Sequence, residues 1–237
     1  MSPAGYPARV QPDDSTARAA AAAAAAELVA PGMTIGLGSG RAVWELTRLL
    51  GPRGGVRAAV ASDRTARLAQ EVGIELIELD GSVELDLALD GADEVDRELR
   101  LIKGGGGALL REKIVVSAAR RFVVVAETPK LVERLGQHFR LPVEVARFAW
   151  RDTRRRVERL LPDAELREAS GSPYVTDEGH YILDCSLPTG ADPDALDDEL
   201  KHFPGVLEHG LFIGLAERAL LGRPDGGVET VITPPRR

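Results

Sequence analysis

Alternation is the feature that most constrains this chain. From residue 33 to 127, apolar runs of strand length alternate with amphipathic stretches of helical period. "MTIGLGSG" is a buried strand running into a Gly-rich turn, and "RAVWELTRLL" is a helix. "VRAAVAS" is a strand, "DRTARLAQEVG" a helix closed by Gly73, and "IELIEL" and "LDLALD" are strands, the second ending at Asp90. "ALLREKIVVSAAR" (108–120) is a helix and "RFVVVAE" a strand. Strands that alternate with helices build a parallel sheet covered on both faces. Such sheets bind ligands outside the carboxyl ends of their strands. Three unusual loops follow strands, at 38–42, 90–93 and 127–130, so chain order brings them to one sheet edge.

From about residue 139 the pattern changes. "VEVARF" reads as a strand, "DTRRRVERLL" as a helix, "AELREA" and "YILDCSL" as strands, "DPDALDDELKHF" as a helix and "LEHGLF" as a strand. That β-α-β-β-α-β order predicts a ferredoxin-like unit. "IGLAERALLG" and "VETVI" then rejoin the first unit. The expected fold is α/β, a Rossmann-like mostly parallel sheet domain (1–138 plus 210–237) with a smaller ferredoxin-like α+β domain (139–209). The Ala-rich segment "ARAAAAAAAAELVA" (17–30) is a helix, with Asp14 or Ser15 to cap it and Pro31-Gly32 to end it. It lacks the basic leader of a signal peptide. Residues 1–12, with three prolines, read as a poorly ordered arm.

Charge narrows the partners. A net charge of −7 disfavours nucleic acid and anionic membrane. No apolar run is long enough to span a bilayer. Arg154, Arg155 and Arg156 fall on a short helix and read as a solvated face. The single cysteine, Cys185, sits in an apolar stretch where packing is its expected role; a lone thiol fits a cytoplasmic protein. The four histidines lack metal-ligand spacing, so no metal is expected.

"DGADEVDRELRLIKGGGGALLREK" (90–113) concentrates the chemistry. Asp90 ends an apolar strand, and Asp93 follows within the Gly91-Ala92 turn, where carboxylates can hold sugar hydroxyls. Lys103 precedes four glycines, and Gly104, Gly105 and Gly106 let backbone N–H groups approach an oxygen-rich ligand. A helix starts directly afterwards, with Glu112 near its positive end. Glu94, Asp96 and Glu98 read as surface charges. A carboxylate base, an ammonium and two fixed carboxylates with no cofactor motif fit proton abstraction beside a carbonyl, as in aldose–ketose isomerisation. The turn "GLGSGRA" (36–42) forms a phosphate cradle at a helix start from Ser39, Gly40, Arg41 and Ala42, with Arg41 able to pair bidentately with phosphate.

Together these residues resemble the ribose-5-phosphate isomerase type A family. "DGADEVD" (90–96), "KGGGGALLREKI" (103–114) and "FPGVLEHGLF" (203–212) look like its signatures, and "LPVEV" (141–145) and "TDEGHYILD" (176–184) are similar to further family segments. The resemblance implies an enzyme of the non-oxidative pentose phosphate branch that interconverts ribose 5-phosphate and ribulose 5-phosphate. It implies Glu112 as proton-transferring base, Lys103 stabilising the enediolate oxygen, Asp90 assisting ring opening and Asp93 binding sugar hydroxyls. Lys130 matches a substrate-binding lysine, and Arg18 falls where the family usually has a lysine near the phosphate. It also implies no cofactor and a homodimer or homotetramer. Alternatives are an isomerase of a different sugar phosphate, a non-catalytic sugar-phosphate-binding protein, and acyl-CoA transfer through a glutamyl intermediate. The sensor lacks room for a DNA-binding helix-turn-helix before Pro31.

The phosphate loop departs from the family's usual Gly-Thr-Gly-Ser-Thr: Gly38-Ser39-Gly40-Arg41-Ala42 keeps one hydroxyl and gains a guanidinium. "ASDRT" (61–65) likewise begins with Ala61 in place of threonine. A cation at the positive end of a helix is unfavourable unless an anion binds there. Arg41→Ala is therefore expected to raise KM for a phosphorylated sugar and weaken inhibition by inorganic phosphate. Steady-state kinetics with both quantities unchanged would make Arg41 a surface residue.

Overall fold

The computed structural model describes residues 14–232, so the N-terminal arm lies outside the described residues. The chain runs α1 (Ser15–Ala26), β1 (Thr34–Leu37), α2 (Arg41–Leu50), β2 (Arg57–Val60), α3 (Asp63–Glu71), β3 (Glu75–Leu76), β4 (Leu87–Asp90), β5 (Glu94–Val95), β6 (Leu101–Ile102), α4 (Leu109–Ser117) and β7 (Phe122–Glu127). It continues through β8 (Leu141–Val145), α5 (Trp150–Val157), β9 (Glu165–Leu166), β10 (Glu168–Ala169), β11 (Ser172–Pro173), β12 (Tyr181–Cys185), α6 (Pro193–Leu200) and β13 (Val206–His209), then β14 (Leu211–Phe212), β15 (Arg218–Gly222) and β16 (Val228–Ile232).

The main sheet has the order β16-β15-β7-β4-β1-β2-β3. All its pairs are parallel except the edge pair β15–β16. β1, β4 and β7 are buried along their whole length, as expected of parallel strands covered on both faces. Alternation divides their side chains. Leu87, Leu89, Val123 and Val125 join α1 and α2 in one core, while Ala88, Val124 and Ala126 face a second core with Val116 and Phe212. The chain leaves β1 toward β2 and β3, then returns to place β4 on the other side of β1. That reversal opens a crevice at the carboxyl ends of β1 and β4, the favoured ligand position in such sheets.

A second sheet, β13-β8-β12-β9, is antiparallel throughout. Its four strands, taken in chain order, lie as 4-1-3-2, the ferredoxin-like arrangement. Cys185 is buried among Val143, Val157, Leu183 and Leu200, the packing role expected of it, and burial pushes its thiol pKa up. Arg155 is exposed on α5, and Arg154 and Arg156 pair with Glu158 and Asp152 of the same helix, as a solvated face requires.

Several elements differ from the sequence expectation. The stretch at 165–169 is broken at Arg167, and β8 stops at Val145. "LEHGLF" is split between two sheets: β13 pairs with β8, whereas β14 joins a three-stranded sheet with β6 and β5. Gly210 makes the crossing. Its carbonyl accepts from Lys103 N at 2.9 Å, and a Cβ there would fall 2.2 Å from the Lys103 carbonyl oxygen. Asp14 is the N-cap residue of α1, but its side chain makes no capping hydrogen bond.

Glu94 and Asp96 are not surface charges. Both are buried. Glu94 accepts from the backbone N–H groups of Gly136 (2.6 Å), His138 (2.5 Å) and Phe139 (2.8 Å), and so gathers the segment leading into β8. Asp96 accepts from Glu98 N, Arg100 N and Arg100 Nε at 3.0, 2.9 and 2.6 Å. Backbone donors satisfy carboxylates as completely as water does, and an acidic sequence pattern does not separate the two cases.

Candidate active site

The crevice is built from the ends of strands. Gly38 follows β1, and a Cβ there would lie 1.8 Å from Asp90 Cγ, because the Asp90 carboxylate fills that space. Asp90 is fully buried at the end of β4. Its Oδ1 accepts from Ser39 N (3.1 Å) and Gly91 N (2.7 Å), and its Oδ2 lies 2.9 Å from Lys103 Nζ. Lys103 follows β6 and is also buried. Its ammonium donates to the Gly91 carbonyl at 2.7 Å and lies 3.1 Å from Glu112 Oε2. Glu112, in the first turn of α4, accepts from Ser39 Oγ through Oε1. Asp93 Oδ2 accepts from Gly105 N at 2.7 Å.

One ammonium thus serves two buried carboxylates, with a third close by. Burial raises the Asp90 pKa to about 7, helped by the charge of Glu112 and opposed by Lys103 and the Gly91 N–H. Burial alone would lower Lys103, but Asp90 and Glu112 outweigh it and hold its pKa above the ordinary lysine value. Burial also raises Asp93, opposed by the charge of Lys130 and the N–H of Gly105. Asp90 Oδ2 and Glu112 Oε2 have no hydrogen bond of good geometry among the described residues, and the Lys103 ammonium lies within ion-pair distance of both. Buried ion clusters contribute little net stability. Perturbed, under-satisfied carboxylates in a crevice are the signature of a site that handles protons.

The comparisons with known proteins place the chain in a family. The family model of ribose 5-phosphate isomerase A (phosphoriboisomerase A) matches residues 57–226. A ribose-5-phosphate isomerase A of Roseiflexus sp. (strain RS-1) is 49% identical over 224 residues, covering 92% of this chain and 96% of its own. The chain belongs to the ribose 5-phosphate isomerase A family. A solved ribose 5-phosphate isomerase A of Methanocaldococcus jannaschii superposes with a TM-score of 0.87 at 35% identity, covering 93% of this chain and all of its own. A D-ribose-5-phosphate isomerase solved in complex with phospho-erythronic acid superposes with a TM-score of 0.88 at 33% identity, covering 94% and 100%.

Within this isomerase family member, the residues singled out in the sequence fall into two groups. Asp90, Asp93, Lys103, Glu112, Ser39, Gly91 and the glycines 104–106 meet in the crevice. Ser39 reaches Glu112 with its hydroxyl and Asp90 with its N–H, so it joins the Gly-rich turn before α2 to two of the buried carboxylates. Gly40 is the N-cap residue of α2, and Arg41 is exposed at the first position of that helix. Ala42 turns its side chain into the α1–α2 core, which leaves only its backbone for a ligand. Ala92 packs against the core beneath the crevice. Arg18 lies on α1 and pairs with Glu127 at the end of β7, 2.9 Å away. Lys130 ends the turn after β7, with Nζ 5.9 Å from the Phe139 ring centroid.

Sequence reasoning missed the residues that brace these loops. Thr65 Oγ1 donates to the Gly38 carbonyl at 2.9 Å. Arg111, next to Glu112, pairs with Asp63 on α3 (2.8 Å) and with Glu178 before β12 (2.5 Å). Arg167 donates to the carbonyls of Gly104 (2.8 Å) and Gly105 (3.3 Å). Nothing local marks these contacts, since each joins segments far apart in the chain.

The raised Asp90 pKa carries a pH signature. The folded state holds a proton on this carboxyl between the ordinary aspartate range and about pH 7, where the unfolded chain has lost it. This group therefore makes stability fall as pH rises from about 4 to about 7, with no further loss from it above that range. Asp90→Asn should remove that component. Urea midpoints across pH would show the wild type losing stability relative to the variant over this window; parallel curves would contradict the assignment.

Proposed function

We propose that the protein interconverts ribose 5-phosphate and ribulose 5-phosphate through an enediolate, with Glu112 as the base. The observation that carries this is the buried Lys103 ammonium held 2.9 Å from Asp90 and 3.1 Å from Glu112. Glu112 takes the proton from C2 of the open aldose, the C–H electron pair becomes the C1–C2 double bond, and the carbonyl pair collects on O1. Lys103 stabilises that oxygen with a fixed charge in a site shielded from water. The O2 proton then passes to O1, which moves the negative charge to O2, and Glu112 returns its proton to C1 as the O2 electron pair closes the ketone. Asp90, with a pKa near neutrality, serves ring opening, where a proton must leave one oxygen and reach another. Asp93 and the glycines 104–106 hold the sugar hydroxyls.

The phosphate rests at the start of α2, on the N–H groups of residues 40–42 with Ser39 and Arg41, and Arg18 and Lys130 supply further positive charge at the same sheet edge. One of the similar structures was solved in complex with phospho-erythronic acid, whose planar carboxylate resembles the planar enediolate, and this supports the reading. The lone buried thiol supports a cytoplasmic setting, and the family resemblance supports a homodimer or homotetramer.

Glu112→Gln keeps the side-chain shape and removes the base. Turnover of ribose 5-phosphate should drop by ~10²–10⁴-fold with KM little changed, the usual cost of losing a general base. Steady-state kinetics that return a near-normal kcat would assign the proton transfer to another group.

A further inference from the structure

We infer that Arg167, clamped by Asp184 and joined by Tyr174, is a positioning residue that sets the direction of the N–H groups in the glycine run. The inference rests on the isomerase function proposed above. Arg167 lies between β9, the edge strand of the second sheet, and β10, which pairs with β11 in a separate two-stranded sheet; it is far in sequence from the reacting groups, yet it is buried. Its Nε and Nη2 pair bidentately with Asp184 at 2.9 and 2.5 Å. The remaining Nη1 reaches out of that pair to the carbonyls of Gly104 and Gly105. Tyr174 OH donates to the next carbonyl, that of Gly106, at 3.2 Å. Three successive carbonyls of the glycine run are thus held by these two side chains.

The consequence follows from the planar trans peptide, in which the C=O of one residue and the N–H of the next point in opposite directions. Holding the Gly104 carbonyl toward Arg167 directs the Gly105 N–H away from it, and that N–H is found on Asp93 at 2.7 Å. Holding the Gly105 carbonyl likewise directs the Gly106 N–H toward the crevice, where a Cβ on Gly106 would stand 4.0 Å from Ser39 Oγ. A glycine run has no side chains to fix these peptide planes; the Gly107 N–H turns back onto the Gly104 carbonyl at 3.0 Å, and the Gly105 and Gly106 carbonyls are met by Arg167 and Tyr174 from outside the run. A guanidinium suits the task because its rigid fork grips a carboxylate and still presents donors to two carbonyls, whereas an ammonium is a single point charge.

The test uses the full chain with Arg167→Lys, Tyr174→Phe and wild type. In Arg167→Lys the charge remains and the fork is lost. Its kcat should fall about 10- to 100-fold, the scale of a displacement of about 1 Å in a reacting geometry. KM should change little. Affinity for phospho-erythronic acid should fall in step with kcat, while inhibition by inorganic phosphate stays as in wild type, because the phosphate loop does not depend on Arg167. A merely structural arginine would give a folded variant with wild-type kcat and wild-type affinity for the analogue, and that result overturns the inference. If Arg167→Lys does not fold, the half-buried Tyr174→Phe decides: a several-fold loss in kcat at constant KM supports the inference, and an unchanged kcat overturns it. Wild type inactive on ribose 5-phosphate would instead sink the isomerase function, which separates the two failures.

Discussion

The structure depends on one buried ammonium ion placed between two buried carboxylates. Lys103 meets Asp90 and Glu112 within ion-pair distance, and all three are buried. Removing such charges from solvent costs several kcal/mol per ion before pairing offsets it. The offset is incomplete, since two negative groups share one positive group. The excess appears as the displaced pKa of Asp90. A fold that keeps this arrangement accepts that cost at the point where the proposed mechanism moves a proton.

The rest of the molecule places that point. The strand reversal beside β1 opens the crevice, and Gly38 leaves the room that the Asp90 carboxylate fills. Glu112 arrives on the first turn of α4, and Lys103 arrives from the small sheet that β14 completes through the tight passage at Gly210. Arg167, just past the edge strand β9, and Tyr174, just past β11 of the two-stranded sheet, bond the carbonyls of Gly104, Gly105 and Gly106 and so tie the glycine run to this part of the chain.

Most of the architecture was legible in the sequence because periodicity encodes it. The continuous apolar runs of β1, β4 and β7 and the clean helical stretch of α2 identify a covered parallel sheet, and Asp90, Lys103 and Glu112 stand out as charges at element ends. What was not legible depends on contacts across long sequence distances. Glu94 and Asp96 share the acidic character of exposed Glu98, and only the backbone donors brought to them distinguish their burial. Arg167 lies in a short polar stretch and acquires meaning only when folding sets it against Gly104. "LEHGLF" has the pattern of one strand, and the tertiary crossing at Gly210 divides it. Ala42 occupies a loop position that suggests ligand contact, while its side chain belongs to the core.

The most direct measurement is the steady-state kinetics of Lys103→Ala on ribose 5-phosphate. A charge that acts on the enediolate oxygen contributes to the transition state more than to the bound substrate. The account predicts a fall in kcat that far exceeds any rise in KM. A raised KM with kcat unchanged would make Lys103 a substrate-binding residue and contradict the account.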